Sequence, residues 1–171
     1  LVKLHASAAD AVNIDYAQTQ DAGEDLRFVD GNGDVLAHEI EHWDEAGYSY
    51  IWVRVPQIDG ASNTDSITMY YGNSSAADGQ AATSVWNAGE RAVLHMNGFT
   101  TDSTSFENDG VVNNAFVGNG IVAGAALFNG TSGDVNLGSD SSIDDIFNGG
   151  GSISTWINPS GWGEGGYGRI A

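Results

Sequence analysis

The sequence predicts an all-β fold of antiparallel β-sandwiches of the jelly-roll type, in two units of which the second is incomplete. Three observations support this fold class. Apolar and polar residues alternate over short runs, most clearly in residues 48–55. Gly, Asn and Asp residues, which form turns, separate these runs at fairly regular spacing. No amphipathic helix of ordinary length is visible, and we expect no helix longer than about two turns.

The first unit is expected in residues 1–73 and contains the clearest strand of the chain. In residues 48–55, the apolar Ile51 and Val53 share one face. Tyr50 and Trp52 share the opposite face, and Pro56 ends the strand because it has no N–H to donate. The other strands predicted in this unit cover residues 2–6, 26–29, 38–44 and 66–71.

The sequence predicts a linker at residues 74–91 and a second β unit at residues 92–171. The linker segment is rich in small residues and has no alternating pattern, with Trp86 as a candidate anchor. In the second unit a strand is predicted at residues 152–157, and a turn of helix near residues 141–147.

The composition excludes several classes of function. The 23 acidic residues against 5 basic ones give a net charge of −18. Such a surface repels phosphate backbones and anionic lipids, so we expect no nucleic-acid partner. The absence of cysteine removes disulfides and thiolate metal sites. No apolar run approaches the ~20 residues of a membrane-spanning helix, so we expect no direct membrane insertion by this segment.

Four segments of the second unit resemble, in the same order, the first half of a laminin-G-like domain of the concanavalin A-type lectin and glucanase class. They are AVLHMNG (92–98), FENDG (106–110), GAALFNGTSGDVNLG (124–138) and SISTWINPSGWGEGGYGRIA (152–171). The resemblance implies a jelly roll that needs more strands than these. We therefore expect an open sheet edge or an apolar face here, unless another chain or further residues complete the domain.

The first unit resembles a prokaryotic family of domains of unknown function. Its motifs occur in the family's order within residues 25–73: DLRFVDGNG, EIEHW, WVRVP and YYGN. Members of that family often precede laminin-G-like domains in secreted and surface proteins. The resemblance therefore implies an extracellular, cell-surface or periplasmic location, and it leaves the biochemical activity open.

The loop TDSTSFENDG (101–110) is a candidate calcium site. Its Asp102, Asn108 and Asp109 offer the oxygen ligands that calcium prefers. Laminin-G-like and concanavalin A-type domains commonly hold a structural calcium ion among their loops, so the resemblance implies Ca²⁺ as a structural cofactor. Asp and Asn also occupy turns for purely local reasons, and that alternative stays open.

Aromatic residues near the end of the sequence predict a sugar-binding platform. Trp162 and Tyr167 lie in a glycine-rich stretch, where a ligand can approach the backbone closely. Flat aromatic rings stack well against the faces of sugars. Trp156 belongs to the strand that is buried in the laminin-G-like family, so we expect it in the core.

A pair of glutamates suggests an enzyme as the alternative. Glu39 and Glu41 are two residues apart on one predicted strand, which places them about 7 Å apart on the same face. That separation is close to the ~5–9 Å range of the carboxylate pairs in glycoside hydrolases. On the same strand His38 and His42 are also predicted to share a face, but no zinc motif is present.

Together these features predict a non-catalytic extracellular recognition module of a bacterial or archaeal surface or secreted protein. Its expected ligands are glycans or partner proteins. The first alternative is a glycoside hydrolase that uses Glu39 and Glu41. The second is a structural spacer, or the ectodomain of an adhesin or of a proton-channel-type membrane protein.

Overall fold

The computed structural model describes residues 1–98 and 100–161. The chain divides into two units, Leu1–Asn87 and Ala88–Ala171. Strands dominate both units, and the longest α-helix among the described residues has 4 residues. The predicted all-β fold class is confirmed. In the described part of the chain, no helix has the length and apolar character required to cross a membrane.

The first unit consists of two sheets. Its strands are β1 (Val2–His5), β2 (Val12–Asn13), β3 (Arg27–Asp30), β4 (Val35–Leu36), β5 (His38–His42), β6 (Ser49–Val53) and β7 (Ile67–Tyr70). A four-stranded sheet has the order β2-β1-β6-β5, and a three-stranded sheet has the order β4-β3-β7. All strand pairs in this unit are antiparallel except the short pair β1–β2, which is parallel. Two short helices, Tyr16–Gln18 (3₁₀) and α1 (Ala82–Val85), complete the unit.

Apolar side chains from both sheets form the core between them. Leu4 and Ile51 come from the four-stranded sheet, Phe28 and Leu36 from the three-stranded sheet, and all belong to one buried cluster. Alternation along each strand sends these residues inward and their neighbours outward. The buried side chain of Tyr16 belongs to the same cluster. The first unit is therefore a β-sandwich.

A β-bulge interrupts the pairing of β5 with β6. Ile40 pairs with Ile51, and the next pair is His42 with Tyr50, so Glu41 is one extra residue on β5. Beyond the bulge, the alternation of β5 is reversed. The next residue along, Trp43, packs against the core.

The bulge corrects the prediction that His38 and His42 share a face. His38 is fully buried, with its ring 5.3 Å from that of Phe28. The His42 ring lies on the other side of the sheet, 6.5 Å from the ring of Tyr50. An extra residue shifts the period-2 pattern by one, which moves every later side chain to the opposite face.

Part of the predicted linker (residues 74–91) lies along β5 in the structure, namely Gln80, Ala81 and α1. The backbone N–H of Ala81 donates to the carbonyl of His38 at 2.9 Å. The backbone N–H of Ile40 donates to the side-chain oxygen of Gln80 at 2.8 Å. The edge of β5 is therefore covered by a segment of its own unit, which reduces its capacity to pair with another strand.

The residues that the structure describes in the second unit form two separate two-stranded ladders. Its strands are β8 (Val111–Asn113), β9 (Ala115–Asn119), β10 (Gly124–Phe128) and β11 (Asp134–Asn136). β9 pairs with β10, and β8 pairs with β11, both antiparallel. Among the described residues of this unit, those that are buried are all polar. Apolar side chains such as Phe116 (70% exposed) are open to solvent, as expected for an uncovered sheet.

The prediction of a strand at residues 152–157 is wrong. These residues form no strand and pair with no strand in the described part of the chain. The expectation that Trp156 lies in the core is wrong as well, because its side chain is 90% exposed. A strand needs a partner ladder, and a buried tryptophan needs an apolar layer to cover it. The described residues supply neither one here.

The core of the first unit depends on Phe28. The substitution Phe28→Ala should lower the free energy of unfolding by about 3–5 kcal/mol, because it removes a fully packed ring and leaves a cavity. Denaturant unfolding followed by circular dichroism measures this loss. The matched control is Phe116→Ala, whose ring is 70% exposed, and it should stay within about 0.5 kcal/mol of the parent. Equal losses for both variants would contradict this location of the core.

Burial of His38 should make the stability depend on pH. Burial first, and then the charge of Arg27, lower the pKa of His38 below its usual value of 6.5, while Asp78 acts in the opposite direction. The unfolded chain therefore takes up a proton before the folded one does, and stability falls as the pH drops below about 6.5. Thermal unfolding measured from about pH 7 to about pH 5 should show this fall in stability. The variant His38→Leu should flatten the pH dependence. An unchanged slope in His38→Leu would contradict this origin.

Candidate functional site

The outward side of the four-stranded sheet carries a group of aromatic rings, which we call the aromatic face. Its members are His5, His42, Tyr48, Tyr50, Trp52 and Trp86. Register brings most of them together. Lys3 pairs with Tyr50 across β1 and β6, and His42 pairs with Tyr50 across β5 and β6. Glu39 pairs with Trp52, so this carboxylate shares the face with the rings.

The central row of the aromatic face runs along β6. Tyr50 and Trp52 occupy alternate positions of the strand, and Tyr48 continues the alternation just before it. The ring centroids of Tyr48 and Tyr50 are 6.4 Å apart, with a modest tilt of 33°. His5 lies beside Tyr48 on the neighbouring strand β1, with 4.7 Å between the ring centroids. Their side chains are half-buried, so the rings keep accessible area while the sheet holds their backbones rigid.

One edge of the aromatic face is organised by Lys3 and Asp10. The Lys3 ammonium donates to Asp10 at 2.6 Å and lies 3.9 Å from the centroid of the Tyr48 ring. The Tyr48 hydroxyl donates to the other oxygen of Asp10 at 3.0 Å. The bond from Lys3, and then the bond from Tyr48, hold the pKa of Asp10 below its ordinary value. These contacts orient the Tyr48 ring, although their exposure to water limits their contribution to stability.

The opposite edge is organised by two glutamates and two tryptophans. The indole N–H of Trp86 donates to Glu39 at 3.0 Å, and that of Trp52 donates to Glu41 at 2.5 Å. The two indole rings contact each other, with centroids 5.4 Å apart and planes inclined by 56°. Each carboxylate thus positions one indole. Trp86 belongs to the segment that covers β5, and this segment brings it to the face.

Glu39 and Glu41 lie on the same side of the sheet, as the enzyme hypothesis requires. Glu39 is buried, and each glutamate accepts an indole N–H. Through these bonds the two carboxylates fix the orientation of the two indole rings. The arrangement can therefore present a fixed surface of rings with carboxylates at its margin. Such a surface suits binding.

The predicted calcium residues are brought together by the loop at residues 101–110. Asp102 and Asn108 are buried, and Asp109 is exposed. The carboxylate of Asp102 accepts bonds from the backbone N–H groups of Val93, Thr104 and Asn108, and one from the Thr104 hydroxyl.

This environment fits a structural carboxylate better than a calcium ligand. The donors around Asp102 already direct positive charge at both of its oxygens, and Asp109 accepts the N–H of Asp102 at 2.8 Å. Burial raises the pKa of Asp102, but the N–H groups outweigh it and the net pKa is lowered. Among the described residues, no group of three or more acidic or histidine side chains forms a metal-binding cluster. A cation here would have to displace hydrogen bonds.

The predicted sugar contacts Trp162 and Tyr167 lie outside the described residues. The aromatic face of the first unit is a different set of rings, and the sequence reveals only part of it. Tyr50 and Trp52 were visible as the outward residues of a strand. The bulge that adds His42 has no sequence signal that we can identify, and Trp86 reaches the face through the folding of a segment that resembles a linker.

A family model described as a domain of unknown function (DUF2341) matches residues 22–109. This match confirms the predicted resemblance to a family of unknown function, and it includes the segment that carries Trp86. It does not confirm the laminin-G-like resemblance of residues 92–171. No curated protein and no solved structure matches the chain.

Calcium binding at the loop of residues 101–110 stays a prediction, and a comparison of two ions tests it. A calcium site requires the thermal unfolding midpoint to rise more with calcium than with magnesium at equal ionic strength. Equal rises would mean that both ions only screen the net charge of −18. Asp109→Ala is the variant of choice, because Asp109 is exposed whereas the loss of Asp102 would also break the loop. A site predicts that this variant loses the selective response to calcium.

Proposed function

The chain belongs to the DUF2341 family, whose function is unknown, and we propose that it is a non-catalytic recognition module that binds glycans through the aromatic face. We further propose that it acts in an extracellular, cell-surface or periplasmic protein of a bacterium or archaeon. The observation that carries the proposal is the row of rings along β6, with carboxylates at both edges.

Aromatic rings and carboxylates recognise complementary parts of a sugar. The C–H faces of a pyranose are apolar and stack on a flat ring, while its hydroxyl groups donate hydrogen bonds at the edges. Tyr48 and Tyr50 supply two neighbouring rings, 6.4 Å apart and inclined by 33°, and Asp10 and Glu41 lie at the two edges. The acidic side chains at the margin are also suited to hydroxyl donors, because a carboxylate accepts at both oxygens.

The rigidity of the face supports binding over a merely structural role for these rings. Three of the rings are tied to carboxylates through a hydroxyl or an N–H: Tyr48 to Asp10, Trp52 to Glu41 and Trp86 to Glu39. Rings held in one orientation lose little freedom when a ligand binds. A partner protein is the other ligand class expected from the sequence, and a glycan screen separates the two.

Substitutions on the aromatic face should weaken glycan binding without unfolding the protein. In a glycan array or affinity electrophoresis, Trp52→Ala and Tyr50→Ala should each weaken binding by about tenfold or more, since each removes a stacking ring. The matched control is Trp156→Ala. Its side chain is 90% exposed in the second unit, and its loss should leave binding at the parent level.

The double variant Glu39→Gln/Glu41→Gln tests the enzyme alternative in the same samples. Glutamine keeps an acceptor oxygen for each indole N–H but cannot act as a nucleophile or a general acid. A binding module predicts that neither the parent protein nor this variant releases sugar products. Product release by the parent that the variant lacks would establish the hydrolase instead. Absence of any glycan ligand would leave a protein ligand or a spacer role as the explanation.

A further inference from the structure

We infer that the aromatic face is shaped for an extended, uncharged oligosaccharide that lies along β6. This inference rests on the proposed glycan-binding function and adds the length and the charge class of the ligand. Two independent features carry it. The first is the linear order of the rings, and the second is the distribution of charge around them.

The rings line up because they alternate on one strand. Side chains at positions i, i+2 and i+4 of a strand lie on one face, separated by about 7 Å along its axis. Tyr48, Tyr50 and Trp52 follow this pattern, and the measured distance between the first two ring centroids is 6.4 Å. His5 lies beside Tyr48 on the neighbouring strand β1, with the ring centroids 4.7 Å apart, so it widens this end of the row. A single sugar would cover one ring and leave the others in water.

Tilts between the rings also favour a chain over a compact ligand. Neighbouring planes differ by 33° for Tyr48 and Tyr50 and by 36° for His42 and Tyr50. The planes are inclined more steeply at the ends of the group, by 49° for His5 and Tyr48 and by 56° for Trp52 and Trp86. A chain of sugar units joined by rotatable bonds can adjust to the change of plane from one ring to the next. No deep cleft is needed, because stacking on successive rings adds up along the chain.

The charges around the row favour a ligand without acidic groups. Asp10 lies at one edge of the aromatic face, and Glu39 and Glu41 lie at the other. The ammonium of Lys3 is held by Asp10 at 2.6 Å, so its charge is compensated locally. The net charge of the chain is −18, which adds a long-range repulsion for anions. Uronate or sulfated chains would bring further negative charge to this surface.

Binding measurements with defined sugars test both parts of the inference. The probes are cellohexaose, xylohexaose and mannohexaose as neutral chains, their monosaccharides, and hexagalacturonate as the anionic chain. Isothermal titration and tryptophan fluorescence report the affinities, because Trp52 and Trp86 lie on the face. We expect at least one neutral hexasaccharide to bind about tenfold or more tighter than its monosaccharide, since it contacts several rings. We expect hexagalacturonate to bind weakly or not at all at low salt.

The variant Glu39→Gln/Glu41→Gln isolates the charge effect. It removes two negative charges and keeps an acceptor oxygen for each indole N–H, so the affinity for hexagalacturonate should rise relative to the affinity for the neutral chain. This gain should shrink as salt screens the remaining charge.

Each contrary result has a distinct meaning. Equal affinities for hexasaccharide and monosaccharide would overturn the extended ligand. Binding of hexagalacturonate to the parent protein as tightly as the neutral chains would overturn the charge class. Both results would leave the proposed glycan-binding function in place. Failure of all the probes and of a wider glycan array would instead remove that function, and the inference with it.

Discussion

One extra residue in β5 decides what the two sides of the four-stranded sheet carry. Glu41 has no partner on β6, so the alternation of β5 reverses between Ile40 and His42. Before the bulge, His38 and Ile40 face the core and Glu39 faces outward. After it, His42 joins the outward rings, and the following tryptophan packs into the core cluster. The same step thus completes the core and places a carboxylate and an imidazole beside Trp52 and Tyr50.

The aromatic face depends on polar contacts that hold its rings at fixed angles. Carboxylates at both edges accept hydrogen bonds from the rings. Asp10 accepts from the Tyr48 hydroxyl, Glu41 from the Trp52 indole N–H, and Glu39 from the Trp86 indole N–H. Exposed rings without such bonds would rotate among several orientations, and a ligand would have to order them at an entropic cost. The acidic side chains therefore serve two purposes. They orient the rings, and they set the charge that a ligand meets.

The two units bury different kinds of residue. In the first unit, apolar side chains from two sheets cover one another, and apolar residues outnumber polar ones among those that are buried. In the described part of the second unit, the buried residues are polar, and the carboxylate of Asp102 organises them by accepting four hydrogen bonds. Its strands leave apolar side chains such as Phe116 exposed. A hydrogen-bonded loop can order a short segment, but it does not replace an apolar layer over the strands.

The sequence by itself determined the all-β class, the strand at β6 and its two faces, and the family, because these depend on local alternation, turn residues and motif order. It also brought Asp102, Asn108 and Asp109 into one loop, since they are close along the chain. The tertiary structure alone decided which face His42 joins, where Trp86 packs and whether Trp156 is covered. Each of these outcomes depends on a partner distant in sequence. A bulge is defined by the register against β6, and Trp86 reaches Glu39 only once part of the predicted linker lies along β5. Local periodicity carries no information about such pairings, so it reveals the rings but not the face that they form.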